Sequence, residues 1–154
     1  GVDVKSRRHL VREKVLAMQA LWTNDVAEFH GDLVEMAPSW QWPKPVQQPR
    51  PPILIGGGAG PKLFAHIAEY ADGWMPIGGA GMREAISRLR EVMAERGRDP
   101  DALRIAPMGV LPDEAKLAYY RETGATEAIL RLPSAGPEKV LPRLDEFTKY
   151  LEMF

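Results

Sequence analysis

The sequence predicts an α/β fold in which an N-terminal helix is followed by four consecutive β-strand–α-helix units. Short apolar runs, several rich in β-branched residues, alternate with longer segments in which apolar residues recur at the helical period of about 3.6. The first two runs end on consecutive glycines, at 56–58 and 78–79. Regular alternation of this kind is typical of parallel strands with right-handed crossovers and helices on the outside.

The chain is expected to form a single domain, 1–154, in three parts. A helix occupies 1–22, where apolar residues at helical spacing begin at position 10. An irregular segment occupies 23–50, because its four prolines disfavour a helix or a central strand. Two tryptophans of that segment, Trp40 and Trp42, are predicted to pack against the barrel wall. The four strand–helix units occupy 51–154.

The strands and helices of these units follow from the same patterns. Strands are predicted at 52–56, 73–77, 103–110 and 127–132. The following helices are predicted at 61–70, 82–96, 112–122 and 137–152. Pro107 lies inside the third strand, so that strand is predicted to be an edge strand, bulged or broken there. The last helix has one apolar face, formed by Val140, Leu144, Phe147 and Leu151.

Four strand–helix units are half of an eightfold β/α barrel, and the alternative is a small doubly wound sheet. A dinucleotide-binding unit of the second type carries the pattern G-x-G-x-x-G and an acidic residue about 20 positions later. Gly56, Gly58 and Gly60 are spaced too tightly for that pattern, and Asp72 precedes a strand rather than ending one. The sequence therefore favours a half-barrel whose parallel strands follow one another in sequential order.

The segment 51–61 is the most informative motif. An apolar run stops on three glycines, and Pro61 suits the first turn of a helix. Glycines at this point let backbone N–H groups approach an anion at a helix N-terminus, where the macrodipole favours negative charge. The segment 72–79 repeats the pattern in a weaker form. Together they predict a ligand-binding rim at the carboxyl ends of two neighbouring strands.

Composition excludes several kinds of function. The formal net charge of −1 gives no electrostatic basis for binding nucleic acid or a membrane surface. The absence of cysteine excludes disulfides and thiolate metal sites, and the three histidines lack the spacing of metal-binding motifs, so no metal site is predicted. The N-terminus does not have the pattern of a signal peptide, and a cytoplasmic location is expected.

Five segments, taken in order, resemble the luciferase-like monooxygenases, a family of flavin- or deazaflavin-dependent barrel enzymes. These segments are Met18–Thr23, Phe29–Asp32, Pro43–Gln47, Pro51–Gly57 and Ala68–Trp74. The remainder, 75–154, is similar only in its strand–helix alternation. Barrels of this type usually have about 250 residues, and this chain resembles the second half, from the fourth helix through strands five to eight. The resemblance thus implies half of such an enzyme.

The resemblance also implies a cofactor site. In this family the flavin or deazaflavin lies in the barrel mouth, and backbone after the fifth and sixth strands holds part of its phosphate. The implied cofactor-binding residues are Gly56, Gly57, Gly58, Gly60, Met75, Ile77, Gly78 and Gly79. The cofactor is expected to be coenzyme F-420 or FMN, with a slight preference for F-420, because the loop at 55–61 resembles that branch. No catalytic residue is assigned, since most groups that face the ring and the substrate are expected in the other half.

The functional hypothesis is the C-terminal half of a luciferase-like oxidoreductase or monooxygenase that supports hydride transfer through a flavin-type ring. The alternative is a non-catalytic half-barrel, a folding fragment or assembly module without cofactor. A half-barrel leaves strands 52–56 and 127–132 as open edges and bares a concave apolar face that includes Ile53, Ile55 and Ile129. Open edges and bare apolar surface invite pairing, so a homodimer or a complementary half-barrel is expected.

Overall fold

The structure is a computed structural model that describes residues 3–153. The chain divides into two compact units, unit 1 (1–53) and unit 2 (54–154). The boundary lies close to the predicted start of the strand–helix units at 51. Two such units are compatible with one domain or two, so the single domain 1–154 stays a prediction.

The elements of both units are as follows. Unit 1 contains α1 (Arg7–Thr23), β1 (Ala27–His30) and β2 (Glu35–Ser39). The strands of unit 2 are β3 (Leu54–Gly56), β4 (Gly73–Met75), β5 (Arg104–Ile105), β6 (Met108–Val110) and β7 (Ile129–Leu130). Its helices are α2 (Pro61–Tyr70), α3 (Met82–Glu95), α4 (Glu114–Glu122) and α5 (Pro137–Phe147), the last continuing as a 3₁₀ helix (Thr148–Met153). Each predicted helix is present, and α2 has the predicted bounds.

Unit 1 corrects the prediction that 23–50 is irregular. β1 and β2 form an antiparallel hairpin in which Phe29 pairs with Met36. Pro38 lies within β2, and a two-stranded ribbon tolerates it because proline is accepted on edge strands. Trp40 and Trp42, which follow the hairpin, are 73% and 62% exposed. That they pack against the barrel wall, which belongs to unit 2, stays a prediction.

A buried carboxylate anchors the turn of this hairpin to α1. Glu13 is 2% exposed, and its side chain accepts hydrogen bonds from three successive backbone N–H groups. The donors are Asp32, Leu33 and Val34, at 2.9, 2.8 and 2.8 Å. Burial opposes ionisation of Glu13, but these donors and the nearby His9 outweigh it and lower the pKa below its ordinary value of 4.5. An ionised side chain thus holds the turn.

Unit 2 is built on parallel strand pairs in sequential order. β3, β4 and β5 form one sheet, and β6 and β7 form another. All three pairs in these sheets are parallel, as predicted, and a parallel bridge between Ile77 and Met108 links the two ladders. The expectation of one continuous sheet is wrong in this respect: the third predicted strand, 103–110, is split into β5 and β6.

The split occurs at the predicted proline. Ala106 and Met108 donate their N–H groups to Trp74 O and Pro76 O at 3.0 and 2.8 Å, so bonding to the β4 segment continues past Pro107. Pro107 faces the opposite neighbour, the β7 segment, and has no N–H to donate there. The carbonyl of Pro107 instead accepts the N–H of Ile129 at 2.9 Å. The chain therefore bonds to neighbours on both sides before and after this residue, and the proline removes only one donor toward β7. Because the pairs are all parallel, the carboxyl ends of the strands lie on the same side of unit 2.

The core of unit 2 forms beneath α2 and α3. The buried apolar and aromatic residues of these helices are Leu63, Phe64, Ile67, Ala68, Tyr70, Met82, Ile86, Leu89 and Met93. α5 differs, because Phe147 is buried while Leu144 is 42% and Leu151 is 73% exposed. Leu151 lies in the 3₁₀ segment, so the predicted helical face does not continue to it. Among residues 3–153, no helix combines the length and apolarity needed to cross a bilayer.

Candidate functional site

The carboxyl ends of β3 and β4 bring predicted site residues together. Gly56 and Met75 are register partners at the ends of these strands. A Cβ atom placed on Gly56 would lie 3.7 Å from the carbonyl oxygen of Met75. Ile77 follows two residues later and is 79% exposed. Three of the predicted residues, from two strands far apart in sequence, therefore share one edge of the sheet.

The loop after β3 is backbone without side-chain cover. Gly57 has φ of +145°, a conformation that L side chains rarely adopt. Among residues 3–153, leaving out the chain neighbours, no atom lies within 4 Å of where a Cβ on Gly58 or Gly60 would lie. No packing of the described residues therefore requires glycine at these positions. A ligand that approaches the bare backbone closely would account for both glycines.

Helix α2 begins directly behind this loop with an open N-terminus. Its N-cap is Gly60, which offers no capping side chain, and Pro61 occupies its first position. The first backbone hydrogen bond runs from Phe64 N to Gly60 O at 3.0 Å. The preceding N–H groups of the first turn point out of the helix. Together with the macrodipole they form a weak positive site next to the glycine loop.

Trp74 ties the glycine loop to β4. Its indole Nε1 donates a hydrogen bond to the carbonyl of Gly57 at 2.9 Å, and its side chain is 3% exposed. The ring packs edge-on against Phe64, with centroids 6.0 Å apart. No sequence pattern predicted that this tryptophan bonds a loop 17 residues earlier. The sequence feature that could have indicated this bond is a tryptophan, which carries an N–H donor, on the strand next to the loop.

The second glycine loop, after β4, is held by α4. Gly78 has φ of +82°, and Gly79 leads into α3. The hydroxyl of Tyr119 donates to Gly79 O at 3.3 Å. A Cβ on Gly79 would lie 2.8 Å from the ring of Tyr120, so the loop and the ring are in close contact. Neither tyrosine is among the predicted site residues, because 40 residues separate Tyr119 from Gly79.

The edge formed by β6 and β7 differs from the glycine-rich edge, because side chains line it. A pocket of about 450 Å³ opens there, and its lining consists of Leu111, Pro112, Arg131, Leu132, Pro133, Arg143 and Phe147. α4, which starts beside it, has a closed N-terminus, because Asp113 accepts the N–H of Lys116 at 2.8 Å. That backbone N–H, aided by the side chain of Lys116, lowers the pKa of Asp113 below its ordinary value of 3.8.

Unit 1 contains a cluster of possible metal ligands that the histidine spacing did not predict. Ligand atoms of His9, Glu13 and Asp32 lie within 4.8 Å of one another. His9 Nε2 is 2.7 Å from Glu13 Oε1 and 3.6 Å from Asp32 Oδ2. Because the Glu13 carboxylate already accepts three backbone hydrogen bonds, the cluster is accounted for by its anchoring of the hairpin turn. We assign no metal to it.

Comparison with known proteins finds one family model that matches most of the chain. A model described as luciferase-like monooxygenase matches residues 1–112. An uncharacterised protein of Mycobacterium tuberculosis is 40% identical over 139 residues, which are 90% of this chain and 49% of that protein. The chain therefore spans about half the length of the curated relatives it matches first.

Two further similarities concern enzymes with different cofactors. An FMNH₂-dependent dimethylsulfone monooxygenase of Pseudomonas putida is 26% identical over 103 residues, covering 67% of this chain and 27% of that enzyme. A solved structure of an F-420-dependent secondary alcohol dehydrogenase, in complex with an F-420–acetone adduct, matches with a TM-score of 0.60 at 24% identity. The match covers 80% of this chain and 39% of that one. The fold is thus α/β with parallel sheets, similar to luciferase-like barrel enzymes.

Proposed function

We propose, since the chain belongs to the luciferase-like monooxygenase family, that it forms the C-terminal half of a barrel oxidoreductase and binds the phosphate of a flavin-type cofactor. The observation that carries this proposal is the open N-terminus of α2 behind the bare loop Gly57–Gly60. The cofactor is coenzyme F-420 or FMN, and F-420 is slightly preferred. Relatives that use either cofactor support a flavin-type ring.

The residues at the rim fit a phosphate group. Gly58 and Gly60 leave room for an anion to reach backbone N–H groups, and the dipole of α2 adds attraction. Gly56, Gly78 and Gly79 extend the same rim across β3 and β4. Trp74 fixes the loop through Gly57 O, which limits the entropy lost when a ligand binds. Met75 and Ile77 offer apolar surface beside these donors.

The ring supplies the hydride chemistry when it is bound, and the protein supplies binding and orientation. In this chain the rim residues hold the phosphate end and thereby direct the rest of the cofactor. We assign no general acid or base to the described residues. The proposal accordingly treats this half as the phosphate-binding part of the complete active site.

A Gly58→Ala variant tests this role without disturbing the fold. Its added methyl group has open space around it in the free protein, but it would occupy the approach to the phosphate. Loss of one or two charge-assisted hydrogen bonds corresponds to roughly a tenfold to hundredfold loss of affinity. Titration of F-420 and FMN, followed by fluorescence, measures this loss. Ala102→Val, at an exposed turn before β5, is the matched control and should bind as the parent does.

Two results would count against the proposal. Equal affinity of the parent and Gly58→Ala would show that the loop does not contact the phosphate. Failure of the folded parent to bind either cofactor would favour the alternative, a non-catalytic assembly module.

We further propose that a second half-barrel covers the open edges of unit 2. Among the described strands, β3 pairs with β4 alone and β7 with β6 alone. Ile129, on β7, is 41% exposed, and exposed apolar edges favour association. A homodimer is expected by sedimentation equilibrium. A species that stays monomeric at high concentration and does not bind a hydrophobic dye would contradict this.

A further inference from the structure

We propose that the pocket at the ends of β6 and β7 binds an organic anion with an apolar body. As an extension that rests on the proposed function, this anion is a carboxylate or phosphate ester that serves as the substrate. The pocket has a volume of about 450 Å³, within the usual range for small-molecule sites. None of the residues that line it was predicted from the sequence to bind a ligand.

Three separate segments of unit 2 build the pocket. Leu111 and Pro112 follow β6, Arg131 and the next two residues follow β7, and Arg143 and Phe147 come from α5. The parallel pairing of β6 with β7 places the first two segments at the same edge. The bridge from Ile77 to Met108 joins this edge to the one that carries the glycine loops. A ligand here therefore lies on the same side of unit 2 as the proposed cofactor phosphate.

The charge of the pocket is positive and only partly compensated. Within residues 3–153, no acidic side chain forms an ion pair with Arg131. Arg143 pairs with Glu146 at 2.5 Å, and both side chains are more than half exposed. The Arg143 guanidinium also lies over the ring of Phe147, 5.9 Å from its centroid. Asp113, the nearest helix-capping carboxylate in sequence, is engaged by Lys116. The lining itself contains two arginines and no acidic residue.

The rest of the lining is apolar. Leu111 is 60% and Leu132 is 36% exposed, and Phe147 with two prolines completes the wall. Exposed leucines beside Arg131, which forms no ion pair within residues 3–153, suit a ligand with a hydrocarbon part and an anionic end. Arginine binds carboxylate and phosphate through a planar fork of two N–H donors. A free inorganic anion would leave the apolar wall in water, so the wall favours an organic ligand.

Binding of model anions to the full chain tests the site. We suggest titrating 4-phenylbutyrate and phenyl phosphate by calorimetry, with the neutral 4-phenylbutanamide as the uncharged analogue. The anions should bind at least about tenfold more tightly than the amide, since a charge-assisted hydrogen bond contributes roughly 1.5–3 kcal/mol. Arg131→Gln should weaken anion binding about tenfold or more. Arg96→Gln, an exposed arginine at the far end of α3, should leave it unchanged.

Several outcomes would overturn the anion site. These are equal binding of acid and amide, equal losses in the two arginine variants, and no detectable binding by the folded parent. If Arg131→Gln does not fold, Arg131→Lys replaces it: the charge is kept but the fork is lost, and weaker phenyl phosphate binding supports the proposal. Unchanged binding in a folded Arg131→Lys variant contradicts the role of the fork.

A further experiment tests this inference independently of the proposed function. Gly58→Ala should lower cofactor affinity and leave the binding of 4-phenylbutyrate unchanged. Anion binding without any cofactor binding would contradict the proposed function while supporting the pocket. Competition between 4-phenylbutyrate and the bound cofactor would assign the pocket to an anionic part of the cofactor, and would overturn the substrate assignment.

Discussion

The edges of the two parallel sheets in unit 2 offer positive charge to a ligand by different means. After β3, the helix begins at Gly60 with no side-chain cap, and the backbone N–H groups are open. After β6, the helix begins behind Asp113, whose carboxylate accepts the N–H of Lys116. The second N-terminus is therefore occupied by the protein itself. At that edge the positive charge comes from the side chains of Arg131 and Arg143.

The comparison shows how one residue at a helix start decides the kind of site that can form. Glycine leaves both the donors and the space to a ligand, whereas aspartate satisfies a donor and adds a negative charge. A backbone site also needs support, because glycine is the most flexible residue. Trp74 supplies it in the first case. The predictions below test this support and the difference between the two helix starts.

The largest effect is expected at Trp74. Trp74→Ala removes a buried ring and should lower the free energy of unfolding by about 3–5 kcal/mol. Trp74→Phe keeps much of the packing against Phe64 but loses the hydrogen bond to Gly57 O. This loss should lower the free energy of unfolding by about 1 kcal/mol. Urea denaturation measures both. The Phe variant should also bind the cofactor more weakly than its stability loss suggests; unchanged affinity would show that the bond does not order the loop.

The next effect distinguishes two adjacent glycines. Gly57→Ala forces a side chain into a backbone conformation with φ of +145° and should cost about 1–3 kcal/mol. Gly58→Ala should stay within about 0.5 kcal/mol of the parent. Thermal or urea unfolding of both variants provides the comparison. Similar losses in the two would mean that the loop conformation, and not ligand approach, requires both glycines.

A smaller effect is expected at the closed helix start. Asp113→Ala removes the cap of α4 and should lower the melting temperature by a few degrees at neutral pH. Because the folded-state pKa of Asp113 is lowered, its contribution is present above its ordinary value of 3.8 and is lost as pH falls through the folded value. The difference between the parent and the variant should therefore shrink on acidification. A difference independent of pH would rule out the charged cap.

The smallest effect is expected at Tyr119. Its hydroxyl donates to Gly79 O at 3.3 Å and its side chain is 37% exposed. Tyr119→Phe should change the free energy of unfolding by less than about 0.5 kcal/mol. A comparably small change in cofactor affinity is expected from the same titration. A loss of affinity larger than that of Trp74→Phe would contradict the proposal that Trp74 matters more for cofactor binding than Tyr119 does.

Local patterns predicted the helices, because about ten residues of sequence are enough to show the apolar periodicity of a buried helical face. The bounds of α2 and the break at Pro107 follow from such local rules. The hairpin in 23–50 was missed because Pro38 argued against a strand, although an edge strand accepts proline. The apolar face predicted for α5 includes Leu144 and Leu151, which remain exposed, since periodicity does not show whether a partner surface is present in the chain.

In the candidate site, too, features that are local in sequence could be predicted and contacts between distant residues could not. The glycine loops are contiguous in sequence, and their position at the ends of β3 and β4 follows from the strand–turn–helix pattern. The bond from Trp74 to Gly57 and the contact of Tyr120 with Gly79 join residues 17 and 41 positions apart. The lining of the β6–β7 pocket spans Leu111 to Phe147. Such contacts depend on how helices pack on the sheet, which no single motif records.

The anchored turn of unit 1 has a consequence for amide hydrogen exchange. Leu33 is 48% exposed, and backbone amides in an exposed turn normally exchange with solvent rapidly. Yet the N–H groups of Asp32, Leu33 and Val34 all donate to a buried carboxylate on α1. Their exchange therefore requires the turn to detach from the helix. Three slowly exchanging amides in a surface turn, accelerated together in Glu13→Gln, would be the signature of that attachment.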